Sequence, residues 1–159
     1  MIAVSNTSPL ITLAKSSYLT NLQKIFKHIF IPEAVVNEII SKDDITSNTI
    51  KDLIGSGFIR LSKVRNKELV SFINLDIGLG EAEAIVLSLE LSPDYLLMDD
   101  YRARTYAESR DIALIGTLGL VKVFHECNFI GEDVEEIYSR LTSINFWVRK
   151  DLFFDVMKG

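Results

Sequence analysis

Short apolar runs at 2–5, 29–32, 58–62, 95–98 and 112–115 alternate with longer stretches of helical period, and this alternation constrains the fold more than any other feature. Strands separated in this way by helices pair in parallel and are covered by helices on both faces. Helices are expected at 10–15, 19–26, 34–40, 49–56, 68–73 and 81–91, from Asp99-Asp100 to about residue 110, and at 118–126, 133–142 and 150–158. Pro32 and Glu33 suit the first turn of the third helix, and Gly55 and Gly57 stop the fourth. The polar stretch 41–49 reads as a loop or helix cap. The class is α/β, with residues 1–159 expected to form one domain.

A hydrophobic fraction of 48% against 25% charged residues supplies a core of ordinary size without staples. The single Cys127 has no internal partner, which fits a reducing cytoplasm, and no apolar run is long enough for a membrane span. Met1 to Asn6 carry no basic segment of the kind that opens a signal peptide, so a cytoplasmic protein without membrane attachment is expected. Net charge is −5, which argues against nonspecific polyanion binding. It does not exclude a nuclease, because carboxylates that hold metal ions lower the net charge while the ions restore positive potential locally.

Ligands of open parallel sheets gather beyond the carboxyl ends of the strands. There the sequence places Asn6, Thr7 and Ser8, then Asp99 and Asp100, then Gly116 and Thr117. The helix start Gly80-Glu81-Ala82-Glu83 adds two carboxylates, of which periodicity barely decides which one faces a site. Such oxygen-rich sets suit Mg²⁺ or Mn²⁺. Each acid also has a plainer role: Asp99 or Asp100 as a helix N-cap, Glu81 or Glu83 as a first-turn acid complementing the helix dipole, Glu38 as a solvated glutamate. Arg102 and Arg104 either reach substrate phosphates or stand in solvent. Lys63, Arg65 and Lys67 read as a solvated loop with a lesser claim on RNA, and 146–148 and 152–154 as core packing or a dimer surface. His28, His125 and Cys127 lack the spacing of a metal or redox site, and Gly78-Leu79-Gly80 lacks the rest of a phosphate loop.

Five motifs follow one another in order: Asn6-Thr7-Ser8-Pro9-Leu10-Ile11, Ile31-Pro32 with Glu38, Gly80-Glu81-Ala82-Glu83-Ala84-Ile85, Leu96-Leu97-Met98-Asp99-Asp100 with Arg102 and Arg104, and Gly116 to Leu120. In this order they resemble the PIN domain superfamily, with its VapC-like ribonuclease fold, and within it a PIN-like branch that opens with a strand and Asn/Asp-Thr-Ser-Pro-Leu-Ile. The resemblance covers residues 1 to about 125, and the helices from about 131 to 159 look like the family's C-terminal cap or a dimer element. It implies a three-layer α/β/α sandwich around a mainly parallel sheet. It also implies a Mg²⁺- or Mn²⁺-dependent endoribonuclease that hydrolyses RNA phosphodiester bonds, a homodimer, and the toxin role in a pair with a small antitoxin.

Carried over residue by residue, Asn6 takes the first acid position, Glu38 the second and Glu81 the third, with Asp99 or Asp100 last. Asn6, Glu81, Asp99 and Asp100 are thus the implied metal set, and Glu38, Glu81, Asp99 and Asp100 the implied catalytic acids. Thr7, Ser8, Arg102, Arg104 and Thr117 are expected near the substrate. Asn6 departs from the usual aspartate: an amide oxygen ligates a hard cation without bringing charge. A PIN-shaped module that binds protein or RNA without hydrolysis is therefore the alternative function. A receiver-like or haloacid-hydrolase-like phosphate domain lacks its acceptor, because the first strand ends without an aspartate.

Overall fold

The computed structural model describes residues 1–159. Five strands, β1 (Ile2–Ser5), β2 (His28–Ile31), β3 (Ile59–Leu61), β4 (Tyr95–Leu97) and β5 (Leu114–Ile115), pair in the order β3-β2-β1-β4-β5, every pair parallel. Around them run α1 (Thr7–Lys15), a 3₁₀ helix (Leu19–Lys24), α2 (Glu33–Ser41), α3 (Ile45–Gly55), α4 (Lys67–Ile73) and α5 (Leu79–Leu91). The chain continues through α6 (Tyr101–Glu108), α7 (Thr117–Glu126), α8 (Val134–Ser143) and α9 (Lys150–Lys158). The expected α/β architecture with a parallel sheet is therefore present.

Strand alternation sorts the core into two clusters. Ala3, Ile29, Ile31, Ile59 and Leu97 pack with Leu10, Leu13, Leu120, Phe124, Ile137 and Phe153, whereas Val4 and Leu96 pack with Ala82, Ile85, Val86, Ala103 and Ala107. The first cluster is the larger because α9 packs on both α7 and α8, and these C-terminal helices bring Leu141, Phe153 and Met157 to it.

Several element boundaries differ from the sequence expectation, each for a local reason. α3 starts at Ile45, inside the stretch read as a loop, because Asp44 and Ser47 form a reciprocal capping box. α1 starts at Thr7 rather than residue 10, since Asn6 caps it directly after the strand. The segment read as a helix over 19–26 is 3₁₀ from Leu19 to Lys24, and α5 begins at Leu79, capped by Gly78.

The sheet order places the reversal of winding between β1 and β4. From β1 the chain builds outward through β2 to β3, then returns to the other side for β4 and β5. The register aligns the strand ends there: Ser5 pairs with Leu97 and Leu97 with Ile115. Asn6 N–H donates to the Leu97 carbonyl (3.1 Å) and Met98 N–H to the Ile115 carbonyl (3.2 Å). Asn6, Asp99 and Thr117 thus leave one edge of the sheet at the switch point, where open α/β sheets bind ligands.

The C-terminal helices are tied to the body through Glu132. Tyr18 Oη donates to its carboxylate, and Arg140 Nε donates to the same group at 2.7 Å while the guanidinium lies 5.6 Å from the Tyr18 ring. The Arg140 hydrogen bond holds the Glu132 carboxyl below the usual glutamate range, and burial pushes the Tyr18 hydroxyl well above its usual value. A carboxyl depressed in the folded state contributes stability above its unfolded value and loses it as pH falls through the folded value. The stability lost between about pH 5 and pH 3 should therefore be smaller in Glu132→Gln than in the wild type. Urea midpoints across that range check this, and identical pH slopes in the two proteins would contradict it.

Candidate functional site

Asn6 is 2% exposed, and its hydrogen bonds fix which way its amide points. Its Oδ1 accepts from Thr7 N–H at 2.6 Å, so the NH₂ group faces the other way, donating to Glu81 Oε1 at 3.3 Å beside Met98 Sδ at 3.4 Å. Flipping the amide would set two donors against each other at Thr7.

Glu81 stands half-buried in the first turn of α5. Glu38 reaches the same place from α2 because Gly80 has no side chain: a Cβ there would lie 2.7 Å from Glu38 Oε1 and 3.5 Å from Asn6 Oδ1. Asn6, Glu38 and Glu81 line one cavity of about 220 Å³ together with Thr7, Ser8, Thr12 and Lys42. Thr7 Oγ1 is buried at its wall without a hydrogen-bond partner.

The two aspartates are placed differently. Both carboxylate oxygens of Asp99 are taken by Thr117 at the start of α7, Oδ1 accepting from its N–H (2.7 Å) and Oδ2 from its hydroxyl (2.6 Å). Asp99 lines a separate groove of about 510 Å³ together with Arg104, Leu114, Leu118, Phe146 and Leu152. Arg104 spends Nη1 on the Met98 carbonyl (2.8 Å). Asp100 is exposed and caps α6 by accepting from Ala103 N–H at 2.8 Å. Arg102 is exposed beside Asp76 and Tyr106, lining neither the Asn6 cavity nor the Asp99 groove. Nowhere do three His, Cys, Asp or Glu side chains converge closely enough to hold a metal ion by themselves.

A family model described as PIN domain matches residues 2–159. The chain belongs to the PIN domain family. No curated protein matches it.

The cavity of this PIN domain suits a hard divalent cation in its donor chemistry. Mg²⁺ sites use one or two carboxylates and leave the remaining positions to water and substrate phosphate, and Glu38 and Glu81 provide the two carboxylates. The unpartnered Thr7 hydroxyl and the space kept open at Gly80 are the features that such an occupant would use. Lys42, the C-cap of α2, supplies a positive side chain at the rim. Lys42 is not among the residues expected at the site from sequence, although its spacing four residues beyond Glu38 puts both on one side of α2.

An aspartate at position 6 would turn a bare oxygen toward Glu81 where the amide now donates. Asn6→Asp should therefore lower the stability of the metal-free protein by roughly 1–3 kcal/mol, the range for a buried polar group deprived of its partner. Mn²⁺ should restore most of the loss. Urea unfolding in EDTA and in Mn²⁺ checks this, and an unchanged metal-free midpoint would contradict it.

Proposed function

We propose that this PIN domain is a metal-dependent endoribonuclease whose Mg²⁺ or Mn²⁺ is held by Glu38 and Glu81 with the Asn6 side chain beside them. The observation that carries the reading is that two carboxylates from different helices, Glu81 and the Glu38 that side-chain-free Gly80 admits, line one cavity with Asn6 at the switch point of the sheet. A divalent cation bound there supplies positive charge against a phosphodiester and lowers the pKa of water. Thr7, Ser8 and Lys42 face the same cavity and have the donors to hold a substrate phosphate. Asp99 orients the start of α7 through Thr117 and keeps Gly116 close, where a Cβ would lie 2.9 Å from its Oδ1. Arg104, which lines the neighbouring groove, would meet the continuing RNA strand. The toxin role, a small antitoxin, a homodimer and a cytoplasmic location belong to this proposal through the family resemblance. No helix is long and apolar enough to cross a membrane.

One observation favours the alternative of a PIN-shaped binding module without hydrolysis: the Asn6 NH₂ group satisfies Glu81 without any cation. Incubation of the purified protein with a synthetic single-stranded RNA separates the two readings. The ribonuclease reading expects cleavage in Mn²⁺ that stops in EDTA. RNA retained but uncut in Mn²⁺ would establish the binding module instead.

A further inference from the structure

Glu83 is the one buried acid that the proposed chemistry does not use. It is 7% exposed and does not line the cavity of Asn6, Glu38 and Glu81, although it lies two residues beyond Glu81 on α5. Its Oε2 accepts from the backbone N–H of Ala34 at 2.8 Å. That bond meets a specific need. α2 begins after Pro32, whose ring has no oxygen to cap the helix, and no side chain of its own segment caps it. The first N–H groups of a helix have no partners within it, and their positive end favours a carboxylate. Glu83 supplies from α5 the cap that a Ser or Asp before the helix would supply locally.

The consequence falls on Glu38. Ala34 and Glu38 are four residues apart and so lie one above the other on α2. The helix pinned at Ala34 by Glu83 therefore brings Glu38 against Gly80, three residues before Glu83 on the partner helix. Two helices meet through three glutamates, of which one fastens and two face the cavity.

We propose that Glu83 is a positioning residue: by capping α2 from α5 it holds Glu38 within reach of Glu81 and so sets the affinity of the cavity for a divalent cation without touching it. This rests on the reading of the cavity as a cation site. The test titrates Mn²⁺ by calorimetry into the wild type, Glu83→Ala, Glu83→Gln, Glu38→Ala and the Glu83→Ala/Glu38→Ala double variant, and follows exchange of the Ala34 amide by NMR. Glu83→Ala should weaken Mn²⁺ binding on the order of 10-fold, the lower end for residues that orient metal ligands. Glu83→Gln should recover most of it, because the amide oxygen still accepts from Ala34. In the Glu38→Ala background Glu83→Ala should have no further effect, as expected of a residue acting through Glu38. The Ala34 amide should exchange faster in Glu83→Ala.

If Glu83→Ala fails to fold, Glu83→Asp, one methylene too short to reach Ala34, takes its place with the same expectations. A lowered unfolding midpoint with unchanged Mn²⁺ affinity would overturn the proposal by showing a cap that serves stability alone. So would an equal loss of affinity in the Glu38→Ala background. An Ala34 exchange rate unaffected by the substitution would overturn the clamp whatever the metal result. No Mn²⁺ binding by the wild type, with Ala34 exchange accelerated, would instead remove the cation reading and its dependent claim on affinity, leaving the cap established as a structural contact.

Discussion

Glu81→Gln should lower Mn²⁺-dependent RNA cleavage by on the order of 100-fold or more, with little change in stability. Residues that merely orient metal ligands typically cost about 10–100-fold when changed, and a carboxylate facing the ion should reach or pass that range. The fold should tolerate the change because Glu81 is half-buried and its one hydrogen-bond donor is the Asn6 amide, which a glutamine oxygen also satisfies. The substitution thus removes a charge while retaining shape and partner. Cleavage rates at saturating Mn²⁺, set beside urea midpoints, provide the check. Activity within a few-fold of wild type, with the fold intact, would place the cation elsewhere.

Phe124→Ala should cost about 3–5 kcal/mol, the usual range for emptying a large aromatic site in a core. Phe124 is fully buried in the larger cluster, among Leu10, Leu13 and Leu120, with Phe153 of α9 in the same cluster. That loss is a large share of the roughly 5–15 kcal/mol by which domains are stable. It should also loosen the site, because α1 is capped by Asn6 and the start of α7 is held by Asp99. Urea unfolding measures the first effect. A loss below about 1 kcal/mol would mean that the surrounding side chains collapse into the space, against the packing described for this cluster.

Much of the fold was legible because strand ends and helix starts are written locally. The apolar runs, Asn6 after β1, Asp99 after β4 and Thr117 after β5 follow from the sequence, and the parallel register brings them to one edge. What was not legible depends on which helix stands opposite which. Glu81 and Glu83 look alike in sequence, but Gly80 admits Glu38 on one side while the uncapped start of α2 claims Glu83 on the other. Asp99 and Asp100 are adjacent and both act as caps, of α7 and α6 respectively. Asp99 reaches across to another strand's loop, and only the β4–β5 pairing reveals that partner. The start of α3 was hidden because Ser47, rather than Glu or Gln, completes its capping box.

The function proposed for this PIN domain stands on the joint hold of Glu38 and Glu81 on a divalent cation. Calorimetric titration of Mn²⁺ into the wild type and into Glu38→Ala tests it most directly. Binding by the wild type should be saturable and should weaken at least about 10-fold in Glu38→Ala. Saturable binding of equal strength in both proteins, or none in the wild type, would contradict it.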